Sequence, residues 1–159
     1  MQSNKVFILL AFVFLLIGCS SPAINTNLYS VSTVIDGDTV ILSNGEHVRY
    51  IGIDTPETRK KVNGAWEYVP EPFAAEASDL NKNLVEGETV TLEFDKELRD
   101  KYGRLLAYVF IRDKMVNEEL LLGGYAKLLI IAPNTKYADR LKKAQSAAQD
   151  LKKGIWSLK

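Results

Sequence analysis

The stretch Val48-Arg49-Tyr50-Ile51-Gly52-Ile53-Asp54-Thr55-Pro56-Glu57 limits the possible folds more than any other in the chain. It begins as an apolar strand and runs into a turn, carrying Arg49 inside the strand and Asp54 and Glu57 at its end. Opposite charges held this close to a core cost stability unless they are paired or serve something. Arg49 and Asp54 are five positions apart, so a regular strand would point them to opposite faces. If both serve one site, the strand must bend between them. Gly52 is the position where a bulge or bend is expected.

Around this stretch the pattern is mostly that of short strands. Tyr29 to Ile35 is β-branched and roughly alternating, Asp36-Gly37-Asp38-Thr39 is a turn signature, and Val40-Ile41-Leu42 resumes a strand. Asn44-Gly45 is a hairpin signal, so a three-strand meander is expected through Asp54. Arg59 to Pro72 reads as an irregular loop with a basic start (Arg59, Lys60, Lys61), Trp66 and two prolines. Apolar residues at 73, 77, 80 and 84 predict a helix that Gly87 ends. Strands follow at Thr89 to Phe94 and Leu105 to Ile111, with a charged loop from Asp95 to Gly103 between them. A short helix from Asn117 to Leu122, an apolar segment from Tyr125 to Ile131, and a helix from about Thr135 to Lys153 complete the chain, the last burying Leu141, Ala144, Ala148 and Leu151. The fold class is mainly β with helices (α+β). Five strands with a helix after the third fit a small closed OB-type barrel with three helices; pattern alone also allows an α+β sandwich.

Residues Val6 to Ile17 form a run of 12 apolar residues behind Lys5. Such a helix spans roughly 18 Å against a hydrocarbon core of about 30 Å, too short for a comfortable span and suited to a signal peptide. It ends in Leu16-Ile17-Gly18-Cys19, which resembles a lipobox, and Cys19 is the chain's single cysteine. The expected division is a lipoprotein signal peptide over 1–18, a tether over 19–27 and one domain over 28–159. The protein would be exported and lipid-anchored to the cell envelope through Cys19; a secretory signal or stop-transfer anchor with an incidental cysteine is the alternative. One cysteine excludes an intrachain disulfide. Lys+Arg and Asp+Glu number 20 each, so any nucleic-acid contact must come from a local patch rather than from net charge.

Ionisable residues cluster where strands end: Asp36 to Thr39, Arg49 with Asp54 to Glu57, and Asp100-Lys101-Tyr102-Gly103-Arg104. Asp38, Asp54 and the Thr55 carbonyl are hard oxygen ligands suited to Ca²⁺ or Mg²⁺. Two arginines beside such an ion can clamp a phosphate, and Glu57 can take a proton from water. The alternative is that Arg49 merely pairs with Asp54 or Glu57 at the barrel's end. His47, the one histidine, reads as a surface residue.

DGDT, R-x4-DTPE and DKYGR-x-LAY, in that order and with an OB-like strand pattern between them, resemble the staphylococcal nuclease (thermonuclease) family. The resemblance covers roughly Leu28 to Trp156. It implies a Ca²⁺-dependent endonuclease acting on DNA and RNA that leaves 3′-phosphate ends. One Ca²⁺ would be bound by Asp38, Asp54 and the Thr55 carbonyl. Arg49 and Arg104 would hold the scissile phosphate, Glu57 would act as general base, and Lys101 and Tyr102 would contact a terminal phosphate. The protein would be a monomer, with no protein partner implied. Two departures stand out: the hairpin between Leu42 and Arg49 is shorter than in the family's best-known member, and Leu129-Ile130-Ile131-Ala132-Pro133 lacks the aromatics that pack on the nucleotide there. The reading from a different class is a non-catalytic OB module that binds nucleic acid or protein. Such a decayed module would be expected to have lost at least one of Asp38, Arg49, Asp54, Glu57 and Arg104, and all five are present.

Overall fold

A computed structural model describes residues 27–158; the expected signal peptide, Cys19 and most of the expected tether lie outside the described residues. The alternating segments form five strands of one barrel: β1 (Leu28–Val34), β2 (Thr39–Leu42), β3 (His47–Tyr50), β7 (Thr89–Glu93) and β8 (Leu105–Ile111). The order is β3-β2-β1-β7-β8, antiparallel throughout, and a parallel pairing of β3 with β8 closes it. This is the closed five-stranded OB-type barrel expected from the pattern. The register of β1 on β2 slips by one residue between Val31 and Thr33, a bulge that adds the curvature closure needs. Val31, Val40, Leu42, Val48, Leu92 and Val109 fill the interior.

Three helices cover the barrel: α1 (Ala74–Val85), α2 (Val116–Leu122) and α3 (Ala138–Asp150). α1 turns Ala77 and Val85 inward, and Gly87 follows its end with φ +77°. α2 is led in by the two-residue strand β9 (Lys114–Met115) and packs against both β8 and α3. α3 starts later than the apolar spacing suggests, because the chain first makes turns through Asn134 and Tyr137. Leu141, Ala144 and Ala148 are buried as expected, whereas Leu151 is 66% exposed because the helix has already ended at Asp150. A 3-10 turn (Gly154–Ser157) closes the chain.

The strand carrying Arg49 is broken. β3 stops at Tyr50, and β4 (Gly52–Asp54) leaves in a new direction to pair with β10 (Lys127–Leu129). Gly52 sits at φ +82°, and a Cβ there would lie 2.5 Å from Leu141 Cδ1, so the bend requires glycine for both conformation and space. The break would leave the Ile51 carbonyl unpaired in the core. Asn117 of α2, fully buried, donates to it at 2.8 Å and accepts from the Val109 N–H at 2.9 Å. Asn81 of α1 does the same on the other side, accepting from the Tyr50 hydroxyl and donating to the Asp36 carbonyl. Two buried amides thus pin the bend to the helices.

Arg59 to Pro72 is not an irregular loop throughout. It contains a hairpin of β5 (Arg59–Val62) and β6 (Ala65–Tyr68), turned at Asn63 (φ +49°) and Gly64 (φ +90°). Positive φ at both central residues is what a type I′ two-residue hairpin turn demands, and Asn-Gly supplies it. Neither face of this hairpin is buried, so it leaves no apolar alternation in the sequence.

Candidate active site

The β1–β2 turn is held by its own side chains. Asp36 Oδ1 accepts from the Asp38 N–H, and the Thr39 hydroxyl donates to Asp38 Oδ1. Asp38 Oδ2 accepts from the Thr55 N–H at 2.9 Å, tying this turn to the end of β4. Gly37 permits that approach, since a Cβ there would meet the Thr55 side chain at 2.7 Å. Thr39 lies opposite Arg49 in the β2–β3 ladder, which brings Arg49 to the same barrel end.

The bend at Gly52 places Arg49 between two carboxylates. Its guanidinium pairs with Asp38 Oδ1 through Nη1 and with Asp54 Oδ1 at 2.7 Å through Nη2. Asp38 is almost wholly buried and Asp54 half exposed.

Arg104 arrives from the other side. Asp100 organises the β7–β8 loop: its Oδ1 accepts from the Tyr102 and Arg104 N–H groups, and its Oδ2 accepts from Arg104 Nε at 2.7 Å. Partial burial would raise the Asp100 carboxyl, but the bond from Arg104 and the two backbone N–H groups outweigh it and hold the group below its ordinary value. The loop is tied down by a two-pronged Arg99–Glu46 pair and by Asn134, which bonds both the N–H and the carbonyl of Glu97.

Two clefts flank Arg104. One, of about 400 Å³, is walled by Arg49, Arg104, Lys101 and Tyr102, with Leu129 and Ile131 on its apolar side. Arg49, Arg104, Lys101 and Tyr102 therefore converge. The aliphatic Leu129 and Ile131 stand partly exposed, with no aromatic ring beside them on that segment. Glu57 does not line this cleft. It lies in the second, of about 720 Å³, together with Arg104, Asp36 and the β5–β6 hairpin. Burial chiefly, with Asp36 nearby, raises the Glu57 carboxyl above its ordinary value; burial likewise raises Asp36 against the opposing pull of Arg49. A base with a raised pKa is better matched to proton abstraction near neutrality.

Among the described residues no three carboxylate, cysteine or histidine side chains converge as a metal cage. Asp38 and Asp54 nevertheless meet at one positive charge, the Arg49 guanidinium. Two carboxylates and the Thr55 carbonyl fit a hard divalent cation that takes its remaining oxygens from water and substrate. Sequence reasoning assigned no role to Asp36, Asp100 or the buried amides. The four-residue spacing of Asp100 and Arg104 was a usable signal for one of them.

The model of the family described as staphylococcal nuclease homologue matches residues 47–158. The chain is 43% identical over 136 residues to a thermonuclease of Staphylococcus hyicus, an alignment covering 84% of this chain and 78% of that one. It is 40% identical over 140 residues to a thermonuclease of Staphylococcus intermedius, covering 86% and 80%. With the SPbeta prophage-derived endonuclease YokF of Bacillus subtilis (strain 168) it shares 45% identity over 133 residues, 80% of this chain but only 43% of that longer protein. On its fold, its three linked motifs and these similarities, the chain belongs to the staphylococcal nuclease family and is a nuclease.

Proposed function

We propose that this nuclease is a Ca²⁺-dependent phosphodiesterase that cuts DNA and RNA and leaves 3′-phosphate ends. The observation that carries the reading is the Arg49 guanidinium held between Asp38 and Asp54, with Arg104 across the same cleft. Asp38, Asp54 and the Thr55 carbonyl would hold the cation. When bound there, it supplies the positive charge that Arg49 now lends to the two carboxylates and polarises the phosphate and the attacking water. Arg49 and Arg104 grip the non-bridging phosphate oxygens and stabilise the extra charge of the five-coordinate transition state. Glu57, in the adjoining cleft that Arg104 also lines, takes the proton from water as the water oxygen bonds to phosphorus. The bond to the 5′ oxygen breaks in line, and that oxygen takes a proton from solvent. Lys101 and Tyr102 contact a terminal phosphate beside the cleft.

The apolar run Val6–Ile17 ending in Leu16-Ile17-Gly18-Cys19 supports export and anchoring to the envelope by a lipid on Cys19. Labelled fatty acid should be incorporated into the wild type and not into Cys19→Ala; a wild type that takes up no label would contradict the anchor. The reading of the site is tested with end-labelled single- and double-stranded DNA and RNA, in Ca²⁺ and in chelator. Cleavage to 3′-phosphate ends in Ca²⁺ alone is expected. No cleavage of any substrate would favour the non-catalytic binding module.

A further inference from the structure

Three large aromatic side chains among the described residues are more than two-thirds exposed: Trp66 (69%), Tyr68 (70%) and Tyr102 (73%). All three line the clefts on either side of Arg104, Tyr102 in one and Trp66 with Tyr68 in the other. Exposing rings of this size forfeits burial that would otherwise stabilise the fold. Their gathering around one arginine calls for a ligand.

The hairpin's register sharpens this. Arg59 lies opposite Tyr68, and Lys61 opposite Trp66. Residues opposite one another share a face, as do residues two apart on a strand. One face therefore carries two cations and two aromatic rings. On the other face Lys60 is paired with Glu71 at 3.0 Å. No ion pair among the described residues uses Arg59 or Lys61. The facing wall, on α1, carries Asp79 and Lys82, which offset one another.

We infer that the Arg59–Tyr68 hairpin is a second substrate-binding platform, on which bases of a single-stranded polynucleotide stack on Trp66 and Tyr68 while Arg59 and Lys61 meet its phosphates. The platform is continuous with the reaction site, because Glu57 and Arg104 line the same cleft. A strand crossing at Arg104 would run between Tyr102 on one side and the hairpin on the other. Rings two residues apart along a strand sit about 7 Å apart, twice the ~3.4 Å step between stacked bases, so they suit bases drawn out of a stack rather than a duplex. The aliphatic Leu129 and Ile131 add little stacking in the first cleft, which makes the hairpin the larger stacking surface. The inference rests on the nuclease reading of the site.

The test is the dependence of kcat/KM on strand length, measured with oligothymidylates from two to twelve nucleotides in Ca²⁺. For the wild type, kcat/KM should climb with length. In Trp66→Ala/Tyr68→Ala that gain should shrink at least about tenfold, through KM rather than kcat, and Trp66→Phe/Tyr68→Phe should restore most of it. A second measurement reads binding without turnover. Trp66 and Trp156 are the two tryptophans, so in Glu57→Gln/Trp156→Phe the emission of Trp66 should be quenched by a twelve-nucleotide strand and much less by a duplex of that length. An unaltered length dependence in the double alanine variant, or emission indifferent to the strand, overturns the platform. The nuclease reading fails separately, if the wild type cuts no oligonucleotide of any length.

Discussion

Arg49 Nη2 lies 2.7 Å from Asp54 Oδ1, although the two residues are five apart on what would otherwise be one strand. The contact exists because Gly52 takes φ +82° and sends β4 away from β3. In Gly52→Ala the new Cβ meets Leu141 Cδ1 at 2.5 Å in a backbone conformation L residues avoid. A loss of about 1–3 kcal/mol is expected in urea titrations. Activity should fall further than the folded fraction does, because any relaxation at residue 52 moves Asp54 off Arg49.

Asn117 keeps the same bend from the other side. Asn117→Ala leaves the Ile51 carbonyl and the Val109 N–H buried without partners, at a cost of about 2–3 kcal/mol in unfolding free energy. Asn117→Asp can still accept from Val109 but cannot donate to Ile51, and it buries a charge at neutral pH. It should be the less stable variant there.

The Asp100–Arg104 pair carries a pH dependence whose sign is fixed. The Asp100 carboxyl is held below its ordinary 3.8, so the folded state binds its proton less readily than the unfolded chain. Its contribution to stability is present above 3.8 and lost as pH falls through the lower folded value. Asp100→Asn should flatten this part of the acid limb of stability. It should also lower kcat/KM at neutral pH by freeing Arg104 from its orienting partner.

Leu129 and Ile131 are 41% and 62% exposed beside Tyr102. Replacing them with tyrosine should cost little stability and add stacking surface to the first cleft. Stacking is worth about 1–3 kcal/mol per base, so Leu129→Tyr/Ile131→Tyr should lower KM for short oligonucleotides roughly tenfold or more. An unchanged KM would mean that the base does not lie along this wall.

What the sequence made legible follows what the core requires. Strand β8 begins at Leu105 and ends at Ile111 as its apolar run does, and the bend at Gly52 could be inferred from two charges that had to meet. The β5–β6 hairpin was hidden although Asn63-Gly64 announces its turn, because a hairpin buried on neither side has no apolar period. Leu151 misled because helical spacing carries no stop signal at Asp150, where Gly154 comes too late to mark the end. Asn81 and Asn117 were unreadable for another reason: a buried amide answers to backbone groups far away in sequence. The charges of the Arg49–Glu57 stretch were visible from residue types and their meeting with Asp38 was implied by the family resemblance, whereas the placing of Glu57 in a second cleft with the hairpin and Arg104 was written in neither.

The most direct measurement is kcat of Glu57→Gln on single-stranded DNA in saturating Ca²⁺, alongside its unfolding midpoint. Glutamine fills the same space but cannot accept the proton from water. Because burial raises the Glu57 carboxyl, the fold is more stable with that group protonated and loses this as pH rises through its folded pKa. The neutral variant should therefore be at least as stable as the wild type at neutral pH. The expected result is a fall in kcat of about 10²–10⁴-fold in a protein that unfolds no earlier; near-normal kcat in a folded variant would contradict the role of Glu57 as the base.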